Sequence, residues 1–209
     1  MNRLLIIFLA VSIGGCATAI EEPHYDIERK YKDFELRRYR PHIVAETVVT
    51  GDFSEAGNKA FRILFDYISG KNRIKEEIQM TAPVKQKPAV TAGEKIEMTA
   101  PVTQSPQGKR ENVYRISFVM PSQYTMETIP QPVNSRIRLR LIDGKLMAAR
   151  IYSGSWSEER YRENEATLLS AVKAVGLSTI GAPVFARYNS PFTLWFLRRN
   201  EVLIEVAAD

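Results

Sequence analysis

The chain has 209 residues, 44% hydrophobic and 25% charged, enough for one domain with a buried core or two very small ones. Its formal charge of +5 is small and spread along the chain, with no zinc-finger spacing, RNP-like pattern or recognition helix, so nucleic-acid binding is not expected. Two His and one Cys leave no Ser-His-Asp, Cys-His or metal-ligand constellation and no Cys-x-x-Cys-His haem attachment, so neither an enzyme nor a metal site is expected.

The chain opens with Arg3 and an apolar run from Leu4 to Ile13, too short to span a bilayer and the right length for a secretory-signal core. Ile13-Gly14-Gly15-Cys16 then resembles the bacterial lipoprotein box, in which the Cys is diacylated and the chain is cut just before it. On that reading 1–15 is a signal peptide and 16–24 a lipidated tether. The protein then sits in the cell envelope on a lipid bilayer, at the outer membrane facing the periplasm. Cleavage after Ala17-Thr18-Ala19 is the alternative. Cys16 is the only Cys, so the mature domain has no internal disulfide, and a thioether to lipid removes a free thiol.

From residue 25 the pattern is that of one domain. Phe34–Tyr39 and His42–Gly51 read as strands divided at Arg40-Pro41. Ser54 is the expected N-cap of a helix over 54–69, with Phe61, Leu64, Phe65 and Ile68 on one apolar face and Gly70 as its stop. Ile-x-Met-Thr-Ala-Pro-Val follows at Ile78–Val84 and again at Ile96–Val102. In each copy Ile, Met and Ala alternate with Thr, so the two are expected to pair as a long-looped hairpin, Met80 and Met98 filling core. Asn112–Met120 is a strand and Pro121–Ser135 a loop. Arg136-Ile-Arg-Leu-Arg140 reads as a half-buried strand with a basic outer face. A further strand over 144–154 leads to a helix over 157–175, capped by Ser157, stopped by Gly176 and buried through Leu168, Leu169, Val172 and Val175. Val184–Asn189 and Asn200–Val206 are the last strands.

The two halves repeat. Shifted by 103 residues, Gly51-Asp-Phe-Ser-Glu lies on Gly154-Ser-Trp-Ser-Glu, and Phe34, Leu36, Val44 and Ala45 lie on Ile137, Leu139, Met147 and Ala148. Two pseudo-repeats, about 25–120 and 136–209, are expected to share one core in a single domain, because neither can cover its helix and sheet alone.

These pieces resemble the SOUL haem-binding protein family. The resemblance rests on Phe34-Glu-Leu-Arg-Arg-Tyr39, Tyr67-Ile-Ser-Gly-Lys-Asn72, the paired Met-Thr-Ala-Pro-Val phrases, and Tyr188-Asn-Ser-Pro with Arg198-Arg-Asn-Glu-Val202. It implies an α+β fold of duplicated strand–helix–strand units, a distorted antiparallel β-barrel flanked by two helices. It is similar in fold to effector-binding domains. It also implies non-covalent binding of haem or a related tetrapyrrole in a mainly apolar pocket on the first helix. There Phe61 and Phe65 take the place of pocket-lining Met residues, Asn58 falls where one relative has an Arg, and Arg62 lies one turn on. In some relatives a His is the proposed iron ligand. Here His24 falls in the tether, and His42 is the candidate, with an ordinary turn residue as the alternative.

Two other readings stay open. One is a binder of other amphipathic or cationic molecules, with Glu201 or Glu205 as a buried carboxylate facing the cation. The other is a structural envelope lipoprotein with no small ligand. Arg198 and Arg199 are expected as a solvated pair beside Glu201 or as contacts to propionates or lipid phosphates.

Overall fold

The computed structural model describes residues 20–74, 93–108 and 112–207. In chain order the elements are β1 (Tyr25–Lys30), β2 (Glu35–Tyr39), β3 (His42–Thr50), α1 (Phe53–Ile68), β4 (Asn72–Arg73), β5 (Val102–Pro106) and β6 (Val113–Val119). They continue with β7 (Gln131–Pro132), β8 (Arg138–Ile142), β9 (Lys145–Ser153), α2 (Glu158–Ala174), β10 (Thr179–Arg187), a 3-10 turn (Trp195–Leu197) and β11 (Arg199–Val206). One curled antiparallel sheet takes nine strands in the order β1-β2-β9-β11-β10-β5-β6-β3-β8. Strand β4 pairs separately with β7.

The duplication is written in the register. In the β3–β8 pair Ala45 lies opposite Leu139 and Val44 opposite Arg140; in the β9–β2 pair Ala148 lies opposite Leu36 and Met147 opposite Arg37. Each residue maps onto its counterpart by the same shift of 103 seen in the sequence. The halves are also interleaved. Strand β2 of the first half pairs with β9 of the second, and β8 of the second half pairs with β3 of the first. Each half places a strand against the sheet of the other, so one shared core follows from the topology.

Strand alternation divides the sheet into two faces. Ile43, Ala45, Ile116, Phe118, Ala148, Phe185, Val202 and Ile204 face α1 and α2 in the main core. Ala149, Ala186, Tyr188 and Leu203 form a smaller cluster on the opposite face.

Several expectations need correction. Helix α1 is capped by Asp52, whose Oδ1 accepts from the Glu55 N–H at 2.7 Å, so Ser54 lies inside the helix. Its fully buried stripe is Phe53, Ala56, Gly57, Ala60, Leu64, Tyr67 and Ile68, whereas Phe61 is half-buried and Phe65 is 46% exposed. Small residues bring the helix close to the sheet and push the two Phe rings to its flank. Helix α2 matches the expected Ser157 cap and the Gly176 stop at φ +81°; Leu168 and Val172 are buried, Leu169 partly, and Val175 is exposed. Strand β1, an edge strand, was not expected. Its first residue is half-buried and the rest are exposed, so it carries no apolar alternation.

The second copy of the repeated phrase is not a hairpin strand. Residues 96–101 lie outside the ladder, with a bend at Ala100, and pairing begins at Val102. Ile96 is buried in the main core, Met98 is 42% exposed rather than core, and buried Thr99 donates its hydroxyl to the Val119 carbonyl. The strap is held at its start by Asn72, whose amide bonds the carbonyls of Tyr67 and Glu94 and accepts from the Glu94 N–H. The first copy, with Met80, lies outside the described residues, as does Cys16.

Candidate functional site

Asn58, Phe61, Arg62 and Phe65 follow i, i+3, i+4, i+7 along α1 and share one flank of the helix. Phe61 and Phe65 stack with ring centres 5.7 Å apart and planes 13° from parallel. Phe118 of β6 braces Phe61 edge-on at 5.4 Å. Asn58 and Arg62 are exposed, and neither has a polar partner among the described residues. The result is an aromatic shelf, apolar on its open side, with the Arg62 guanidinium and the Asn58 amide, both unpartnered among the described residues, along one edge. Such a surface suits a flat apolar molecule that carries anionic groups at its rim.

His42 belongs elsewhere. It alternates with Ile43, which faces the helices, so its imidazole lies on the opposite face of the sheet from Phe118 and the shelf. Its Nδ1 is held by the Arg40 carbonyl at 2.9 Å, leaving Nε2 without a partner among the described residues. The two sequence-derived candidates are therefore alternatives: one bound ring cannot use both. His24 is exposed, as expected.

The face that holds His42 carries a cleft of about 490 Å³. Val44, Val119, Met147, Val184, Tyr188 and Leu203 give it apolar walls, and Arg115, Arg140, Lys145 and Glu205 give it charge. Lys145 pairs with Glu205, while Arg115 and Arg140 approach Glu46 at 3.7 and 3.3 Å.

Behind this cleft is an ion cluster that sequence reasoning missed. Glu201 and Arg37, both at 0% exposure, meet at 2.8 Å across β2 and β11. Glu201 also accepts from the Tyr188 hydroxyl at 2.9 Å and from Arg199 Nε and Nη2 at 3.0 and 2.8 Å. Arg37 reaches Glu35 at 2.8 Å and Tyr39 at 3.3 Å, and its guanidinium lies over the Tyr25 ring. Arg199 stacks on Tyr188 at 3.8 Å and pairs with Glu22 at 2.9 Å. Burial pushes the Tyr39 hydroxyl up to about 12, with the Glu201 charge adding to it, and raises Tyr188 for the same two reasons. Burial is the largest single influence on Arg37 and lowers its pKa, but the charge of Glu201 and the hydrogen bonds to Tyr39 and Glu201 together outweigh it, and the net shift is upward. With its four hydrogen bonds, Glu201 has no lone pair turned toward a bound cation, and Glu205 is neutralised by Lys145. The cationic-ligand reading thus loses both its carboxylates. Arg198 and Arg199 are not a solvated pair either, since Arg198 stacks on Trp156 at 4.2 Å. Among the described residues no group of three or more His, Cys, Asp and Glu side chains forms a metal site.

The SOUL heme-binding protein family model matches residues 20–205. The chain belongs to this family. It is 27% identical to "Heme-binding protein 2" of Mus musculus over 211 residues, covering 94% of this chain and 95% of that protein. The Homo sapiens protein of the same name is 27% identical over 201 residues, covering 90% of each. Among solved structures the EcmrR C-terminal domain aligns with a TM-score of 0.60 at 12% identity, covering 88% of this chain and 99% of that one. At that identity the likeness shows the fold alone, an effector-binding-domain-like half-barrel.

Proposed function

We propose that this SOUL-family chain is a haem-binding lipoprotein of the cell envelope. Family membership over 20–205 is the observation that carries the haem reading. The ring, or a related tetrapyrrole, lies against the Phe61–Phe65 shelf. It is held non-covalently by apolar contact, with Arg62 and Asn58 meeting its carboxylates. Burial of ring area at about 25 cal/mol per Å² supplies the affinity, less the cost of ordering. His42 is on the wrong face for this ring, so no axial ligand from it is needed. Cys16, diacylated after removal of 1–15, anchors the chain to the bilayer. The chain acts as a carrier or buffer and not as an enzyme.

The 490 Å³ cleft supports a second reading, a site for another amphipathic molecule with an anionic or neutral head. Haem titration of the chain beginning after Cys16, read by Soret absorbance and tryptophan quenching, separates the two. Phe61→Ala with Phe65→Ala should weaken binding at least about tenfold, and His42→Ala should leave it unchanged. Loss of binding in His42→Ala alone moves the ligand to the cleft. No saturable binding at micromolar haem removes the haem reading.

A further inference from the structure

Between β10 and β11 the chain makes an excursion whose side chains do not join the core. Phe192 is 94% exposed, and Leu194, Trp195, Phe196 and Leu197 are all more than half exposed. This is the densest exposed apolar run among the described residues, and soluble surfaces rarely show one without a use.

The excursion is shaped. Its base is closed by Tyr188 N–H donating to the Arg199 carbonyl at 3.2 Å and by Arg199 N–H donating to Asn189 Oδ1 at 2.6 Å. Within it, Thr193 N–H donates to the Ser190 carbonyl and Leu197 N–H to the Leu194 carbonyl. The Arg198 guanidinium folds back under it, donating to the carbonyls of Thr193 and Pro191, each at 2.8 Å. Residues 190–197 carry no charge, and the nearest one, on Arg198, is turned inward. Trp195 and Phe196 meet edge to face at 5.6 Å at the tip. A loop tied by its own turns, an aromatic tip and no charge are the properties of a segment that enters the headgroup layer of a bilayer.

The position of the N-terminus selects a bilayer over a protein partner. The stretch expected as a free tether is in fact pinned from Glu21 onward. The Glu21 carbonyl accepts from Ala100 N–H, and Glu22 pairs with Arg199, the residue that closes the excursion. Only residues 17–21 separate Glu22 from Cys16, a reach of about 20 Å at full extension. The chain therefore leaves the domain toward its apolar leader from beside this loop.

We propose that loop 190–198 is a membrane-docking surface that seats Phe192, Trp195 and Leu197 in the interfacial layer of the bilayer holding the N-terminus. It rests on the membrane-anchored reading above but needs no acyl chain of its own. Docked this way, the domain is oriented on the membrane at two points and does not swing on a single tether.

The test uses the full chain, purified from membranes and reconstituted into protein-free phosphatidylcholine vesicles. Flotation reports anchoring, and tryptophan emission reports the loop. The chain has two Trp, so the difference between wild type and Trp195→Phe isolates Trp195. The expected result is a blue-shifted Trp195 emission, quenched by lipids brominated near the headgroup and shielded from aqueous iodide. Phe192→Ser with Leu197→Ser should abolish that quenching while the far-UV circular dichroism stays unchanged. A chain that floats but shows no lipid quenching of Trp195 overturns the proposal and leaves the anchor standing. Shielding from iodide without lipid quenching means that the loops of two copies meet, which also overturns it. A chain that does not float contradicts loop and anchor together.

Discussion

Glu201→Gln tests whether the interleaved halves are locked by the buried ion cluster. The substitution keeps the shape of the side chain and replaces one acceptor oxygen with a donor amide. In the wild type the carboxylate accepts from Arg37, Tyr188 and twice from Arg199, at 2.8 to 3.0 Å. The amide retains part of this set and turns N–H groups toward guanidinium donors. Breaking a buried pair from one side costs about 3–5 kcal/mol. Here Arg37 keeps Glu35 and Arg199 keeps Glu22, so the lower end, about 3 kcal/mol, is expected. That is a large share of a domain stability of about 5–15 kcal/mol. Urea unfolding of the chain beginning after Cys16, followed by tryptophan emission and circular dichroism, should show a midpoint lower by about 1–2 M at an unchanged slope. Replacing both partners with apolar residues, Glu201→Leu with Arg37→Met, should recover most of the loss. A single-variant loss below about 1 kcal/mol, or a double variant no more stable than Glu201→Gln, would refute the reasoning.

Gly57→Ala should destabilise the domain by about 1 kcal/mol even though Ala favours a helix interior by about the same amount. An added Cβ would lie 2.8 Å from Arg187 Nη2, a guanidinium that packs over the rings of Trp156 and Phe185 and bonds Gln104, so a raised melting temperature would contradict the packing argument. Alkaline titration tests the Tyr39 environment. The folded hydroxyl is held up to about 12 against about 10 in the unfolded chain, so its contribution is whole below pH 10 and is lost as pH rises toward 12. Tyr39→Phe should flatten the fall in stability over that window by about 1.4 kcal/mol per pH unit, and an unchanged slope would show that the hydroxyl is not so held.

What was legible in the sequence was what depends on local or repeated pattern. The shift of 103 residues relates the β3–β8 register to that of β9–β2, because the same alternation feeds the same sheet geometry twice. Ser157 and Gly176 were readable because caps act within one turn. What failed was set by distant partners. Arg37 and Arg38 are neighbours of the same type, yet one is fully buried, because Glu201 waits for it 164 residues away. Of the expected α1 face, Leu64 and Ile68 are buried and Phe61 partly so, but Phe65 is not, because large apolar residues carry the periodic signal whereas Gly57 and Ala60 make the close contact with the sheet. That same error is informative for the site. It leaves Phe65 in the open, stacked on Phe61, where a core residue would not be. The separation of His42 from the shelf was invisible in sequence, since it depends on which face of β3 the helix covers.

The central claim is that haem lies on the α1 flank and not in the cleft on the opposite face of the sheet. Amide hydrogen exchange of the soluble domain, compared with and without saturating haem, reads the two places separately. The account predicts slowed exchange in peptides covering 58–68 and 116–120, with β8 and β9 unchanged. Protection confined to β8, β9 and the residues around His42, with none on α1, would contradict it.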